Sequence, residues 1–157
     1  IILNLMKIRG CQHCDGCLKT GICVIEDDMQ KIYPKLKEAD RLILASPVFF
    51  MGLTSQAKAM IDRCQCLWVA KYILKLPEAT SKERSRKGLF ISVGGMNRPN
   101  LFAGNITVVK AIFATLNIAY RGELLFSSVD EKGEILNHPP ALQQAYEAGR
   151  KLVLEDS

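Results

Sequence analysis

Three short apolar runs, residues 41–46, 88–93 and 118–126, are separated by stretches in which apolar residues recur every three to four positions. Short apolar runs bounded by turn residues suit strands buried on both faces, and a helical stretch between two of them supplies the crossover that parallel neighbours need. Residues 1–8 form a fourth such run, stopped by Arg9 and Gly10. Asp27 or Asp28 is a good N-cap for a helix that runs to about Glu38 through Met29, Ile32 and Leu36. Pro34 kinks that helix or starts it, since an interior proline costs about 3 kcal/mol. Thr54 or Ser55 caps a long helix whose apolar stripe includes Ala57, Met60, Ile61, Cys64, Leu67 and Trp68, with Cys66 off the stripe. Val108, Val109, Ile112, Phe113 and Leu116 mark a third helix, and Leu142, Ala145, Tyr146, Gly149 and Leu152 a fourth, from about Pro140. Residues 76–86 and 97–105 read as loops. The strand at 118–126 has the polar content of an edge.

Strand and helix alternating four times imply an α/β doubly wound domain, residues 1–157, with a parallel sheet covered on both faces. Such sheets bind ligands outside the carboxyl ends of their strands. Three loops leave those ends: the loop after Ile8, residues 47–54 and residues 94–100.

Four of the six cysteines, Cys11, Cys14, Cys17 and Cys23, lie in the first of these loops at the spacing Cys-x2-Cys-x2-Cys-x5-Cys. Three thiols in successive steps around Gly16 can converge on one centre, and Gly21 turns the chain so that the fourth returns. A cubane iron–sulfur cluster needs such an arrangement, one thiolate for each iron. A zinc site more often uses two separated Cys-x2-Cys pairs or adds histidines, and His13 reads as exposed. Free thiols, a redox-active pair or a zinc knot stand beside the cluster as alternatives.

The formal charge of +5 is modest, and the basic residues are scattered except at Lys82, Arg84, Arg86 and Lys87. That crowd reads as a solvated loop, or alternatively as a contact for an anionic cofactor such as NADPH. No aromatic residues interleave with it, so nucleic acid is not an expected partner. The opening apolar run is too short and interrupted to span a membrane and lacks the pattern of a signal peptide, so a cytoplasmic protein is expected.

In order along the chain, the cysteine motif leads into Gly21-x-Cys23 and Asp27-Asp28-Met29. Glu38-Ala39-Asp40, Ser46-Pro47-Val48-Phe49-Phe50, Lys58-Ala59-Met60-Ile61-Asp62-Arg63 and Gly94-Gly95 follow. This series resembles the flavodoxin-like NADPH-dependent FMN reductases, and among them the iron–sulfur flavoproteins. The resemblance implies a sheet in the order 2-1-3-4-5 with FMN at the strand ends. Residues 1–8 would then be its second strand, and a preceding βα unit carrying the central strand and the phosphate loop would be missing from this sequence.

The resemblance places Pro47, Val48, Phe49, Phe50, Met51 and Gly52 on one side of the flavin ring and Gly94 and Gly95 on the other. Phe49, Phe50 and Met51 can cover an aromatic ring, and glycines permit close backbone approach. Many relatives carry Tyr in place of Phe49 and Gly in place of Met51, which changes what can stack there. It also implies Cys11, Cys14, Cys17 and Cys23 as ligands of a [4Fe–4S] cluster.

The expected activity is that of an FMN-dependent oxidoreductase taking electrons from NAD(P)H to a flavin, quinone or other small acceptor. No catalytic acid–base pair is expected, because the cofactor carries the chemistry. Two alternatives are an iron–sulfur flavoprotein passing single electrons to a ferredoxin-like partner and a flavin-free zinc-binding or interaction module. A homodimer or homotetramer is expected from the stripe bearing Trp68.

Overall fold

A computed structural model describes residues 1–80 and 85–154. Strands β1 (Arg41–Ala45), β2 (Lys87–Gly94) and β3 (Ala119–Ser127) form a parallel sheet in the order β1-β2-β3. This reproduces the 3-4-5 side of the expected order. Helix α1 (Met29–Glu38) precedes the strands, and α2 (Ser55–Arg63), α3 (Gln65–Trp68), α4 (Pro77–Thr80), α5 (Ala103–Thr115) and α6 (Ala141–Leu154) lie between and after them.

One sheet face carries the main core, where Met29, Ile32, Met60, Val109 and Phe113 pack with Leu44 and Phe90. Leu89 points to the opposite face because side chains alternate along a strand. There α6 covers β2 and β3. Gly88 has a packing reason, since a Cβ at that position would collide with the Phe113 ring.

Residues 1–8 are not a buried strand. Leu3–Leu5 is a single 3-10 turn, and Ile1, Ile2 and Leu5 are exposed. The backbone of residues 7–9 is held instead by α1's approach: Lys7 N–H donates to Asp28 Oδ2 (2.8 Å), and Arg9 N–H to Asp27 Oδ2 (2.9 Å). A strand needs a ladder partner, and these donors are bonded to carboxylates.

Consequently β1 is not buried on both faces; of its residues only Leu44 is buried, and Ile43 is half exposed. An apolar trough of about 630 Å³ follows β1 from Ile1 and Leu42 to Pro47 and Phe49.

The expected long helix after Thr54 is broken. The Thr54 hydroxyl caps α2 by accepting from Ala57 N–H (3.3 Å), but Cys64 leaves helical geometry at ψ 4°, and a π-turn follows at Val69–Ile73. The break shifts the helical phase, so Cys66 is as buried as Cys64 rather than off the stripe. Pro34 sits inside an otherwise continuous α1. Helix α5 starts within the expected 97–105 loop, and the 76–86 loop contains α4. On α6, Leu142 and Tyr146 face outward, while Ala141 and Leu152 are buried.

The basic crowd is not a solvated loop where it is described. Arg86 donates to the carbonyls of Ala39 (2.8 Å), Leu116 (2.6 Å) and Leu36, placing its charge at the carboxyl ends of α1 and α5. Lys87 is buried in β2. Lys82 and Arg84 lie outside the described residues. No helix among the described residues is long and apolar enough to cross a membrane.

Candidate functional site

The cysteine loop turns by left-handed residues on both sides of Cys14, His13 at φ 49° and Asp15 at φ 56°, and again at Gly21, φ 71°. His and Asp tolerate this region better than most side chains. A Cβ on Gly21 would lie 2.8 Å from that of Ala70, so this glycine lets the loop settle against the π-turn. His13 is exposed, as expected, with Asp15 at 3.8 Å. None of the six cysteines is paired in a disulfide.

Cys11, Cys14, Cys17 and Cys23 line one cavity of about 220 Å³, which Arg63 and Cys66 also reach. Among the described residues no three His, Cys, Asp or Glu side chains converge as the ligands of a single ion would.

The thiols differ in their surroundings. Burial raises Cys17, and the neighbouring cysteines add to the rise. Burial also pushes Cys23 up, but the Ile25 backbone, the Arg63 guanidinium and the Tyr33 hydroxyl outweigh it and draw the thiol below its ordinary value. The Cys66 thiol, deeper in the fold, is raised by burial. Cys23 is thus more disposed than Cys17 to be a thiolate.

Arg63 anchors this arrangement. Its Nη1 donates to Asp27 Oδ2 (2.6 Å) and to the Arg9 carbonyl (2.9 Å), and its Nη2 to the Ile25 carbonyl (3.0 Å). Asp27 also accepts from Met29 N–H (2.9 Å), so one carboxylate joins the strap before the cysteines, the start of α1 and the end of α2. The Tyr33 hydroxyl donates to the Arg63 carbonyl (2.9 Å).

The second part of the site lies at the carboxyl ends of β1 and β2. Val48 N–H donates to the Val93 carbonyl (2.8 Å), and the Ser92 hydroxyl to the Ser46 carbonyl (2.7 Å), which ties residues 46–48 to β2. Phe49 and Gly52 then exchange two backbone hydrogen bonds of 2.9 Å around Phe50 and Met51. Both central residues have positive φ, 46° and 63°. This is the geometry of a type I′ turn, which favours Asn and Gly and strains other side chains. Phe50 is fully exposed at its tip and Phe49 largely so.

The turn leaves the N–H groups of Phe50 and Met51 outside its own pairing. Gly104 supports it from below, because a Cβ there would lie 2.8 Å from the Met51 carbonyl oxygen. Met51→Gly is expected to raise the protein's stability by about 1–2 kcal/mol, the cost of left-handed geometry with a Cβ. A urea midpoint unchanged or lowered by the substitution would show that the turn is not strained.

Gly94 and Gly95 make room for neighbours within the chain. A Cβ on Gly94 would press on Leu101 (3.0 Å) and Val48 (3.3 Å), and one on Gly95 would press on Asp130 Oδ1 (2.6 Å). Two polar groups here gave no sequence signal: Asp130, on the loop after β3, and Asn105, which is fully buried on α5 with neither side-chain atom hydrogen-bonded among the described residues. An exposed aromatic turn whose two central N–H groups lie outside its own pairing suits a planar conjugated ring. The cysteine cavity, with four thiols, suits a thiolate-ligated group.

The model of the NADPH-dependent FMN reductase family matches residues 2–117. An iron–sulfur flavoprotein of Archaeoglobus fulgidus is 43% identical over 89 residues, which cover 57% of this chain and 42% of that protein. One from Methanocaldococcus jannaschii is 38% identical over 90 residues, 57% of this chain and 41% of its own length. The chain thus spans less than half the length of these two relatives. Among solved structures, the Trp repressor binding protein of Bacillus subtilis shares the fold at a TM-score of 0.61 and 23% identity, covering 78% of this chain and 72% of that one.

Proposed function

The chain belongs to the NADPH-dependent FMN reductase family, and we propose that it is an iron–sulfur flavoprotein in which the turn at Phe49–Gly52 holds FMN and Cys11, Cys14, Cys17 and Cys23 hold a [4Fe–4S] cluster. The observation that carries this reading is that all four loop cysteines line one cavity. A cubane takes four thiolates, each on a separate iron, and four cysteines on one cavity supply that number. Bound FMN exchanges hydride with NAD(P)H and single electrons with a cluster, and thereby joins two-electron to one-electron transfer.

The chain's own residues bind and orient these groups. Pro47 and the Val48–Val93 hydrogen bond fix the entry to the turn, Phe49 and Phe50 offer ring surface, and Met51 and Gly52 offer backbone beside it. Gly94 and Gly95 let Val48, Leu101 and Asp130 pack closely against the facing loop. Asp27 and Arg63 hold the loop from which the thiols project.

The acceptor is proposed to be a small molecule such as a quinone or flavin, or a ferredoxin-like protein. Exposed Leu18, Val24, Trp68, Tyr72 and Ile73 beside the cysteine loop support a homodimer or homotetramer that would cover it. The free edge of β1 and its trough support a further strand paired there, as the 2-1-3-4-5 order requires.

Iron, acid-labile sulfide, zinc and FMN measured on the full-length protein purified without oxygen test this. Iron and sulfide are expected with FMN, and Cys14→Ser should remove iron while sparing flavin. A colourless protein containing zinc would refute both assignments, and flavin without iron would leave a reductase with structural thiols.

A further inference from the structure

Arg63 heads the largest fully buried side chains of the fold. A buried guanidinium is costly unless its donors are met. Asp27, Arg9 and Ile25 meet three of the five. The Nε–H is buried and has no hydrogen-bond partner among the described residues. Were Arg63 only a tie between α2 and the cysteine loop, stranding a donor in the interior would add cost without gain.

The side chain lines the cysteine cavity, whereas its counter-ion Asp27 does not. Asp15 also lines the cavity but its side chain is 60% exposed, so Arg63 is the buried charge at the cavity wall. Tyr33, which donates to the Arg63 carbonyl, fixes the same turn of backbone.

We propose that Arg63 is a positioning residue for the cluster: its spare N–H donates to a sulfur of the bound group, either Cys23 Sγ or an inorganic sulfide, and its charge raises the group's reduction potential. The sign follows from charge alone. Reduction adds one electron to the cluster, and a fixed cation beside it favours the more negative form. Hydrogen bonds to sulfur act in the same direction. This inference rests on the cluster reading above.

The test uses full-length protein carrying guanidino-15N arginine, with its cluster assembled anaerobically and then reduced. Pulsed EPR should detect a weakly coupled 15N nucleus. The double variant D27N/R63Q replaces the buried ion pair by neutral groups of similar shape. It should keep its iron, lose the 15N coupling and show a lower midpoint potential. If that variant does not fold, the coupling in the wild-type protein decides alone. Iron and sulfide with no 15N coupling would overturn the inference and leave Arg63 as a tie between elements. Absence of iron and sulfide from the wild-type protein would overturn the cluster reading and this inference with it.

Discussion

Asp27→Ala is expected to destabilise the protein by about 3–5 kcal/mol, because it leaves the Arg63 guanidinium buried without its counter-ion. The pair is closed to solvent, with Arg63 Nη1 and Asp27 Oδ2 at 2.6 Å and side-chain exposures of 0% and 7%. The same substitution frees the Arg9 and Met29 N–H groups that the carboxylate accepts from. Chemical denaturation of Asp27→Ala and wild type checks this, and a shared midpoint would show that the pair does not hold the fold.

The acid limb of stability gives an independent reading of the same residue. Burial pushes the Asp27 carboxyl up, but hydrogen bonds from Arg63, Arg9 and Met29 outweigh it and hold it below its ordinary value of 3.8. A depressed folded-state value means that the stabilisation is fully present above the unfolded value and is lost as pH falls through the folded one. Asp27→Asn should therefore lose less stability than wild type on acidification below 3.8.

Asp27 and Arg63 also mark where the sequence was legible and where it was not. Each belonged to a motif noticed for its order along the chain, yet their contact joins positions 36 residues apart and no local pattern announces it. The cysteine spacing is local, and the structure brings those four thiols to one cavity. The strands from Arg41 onward were legible because a buried parallel strand needs a continuous apolar run.

The same rule misread residues 1–8, where an apolar run meets carboxylates rather than a ladder partner. Cys66 was misplaced because periodicity assumes an unbroken helix, and Cys64 breaks it. The turn at Phe50 and Met51 was invisible in another way: residues with positive φ are usually announced by Gly or Asn, and neither is there.

Phe113→Ala is the second change expected to have a large effect, about 3–5 kcal/mol, since it empties a fully buried aromatic site on α5. The ring packs against Tyr120 at a centroid distance of 6.0 Å and covers Gly88 on β2. Gly88→Ala alone should cost about 1–3 kcal/mol by overpacking, because its Cβ would meet both that ring and Ile118 Cγ2 at 2.7 Å. In the Phe113→Ala background the new methyl group enters the space the ring vacated. The double variant should therefore be more stable than the sum of the two single losses predicts, by about 0.5–3 kcal/mol, the range for residues in contact. Additive losses in denaturation would mean that Gly88 is not there to admit the ring, and that α5 is held against the sheet by other contacts. A coupled pair would explain why a glycine stands in the central strand, six residues before the close-packed Gly94.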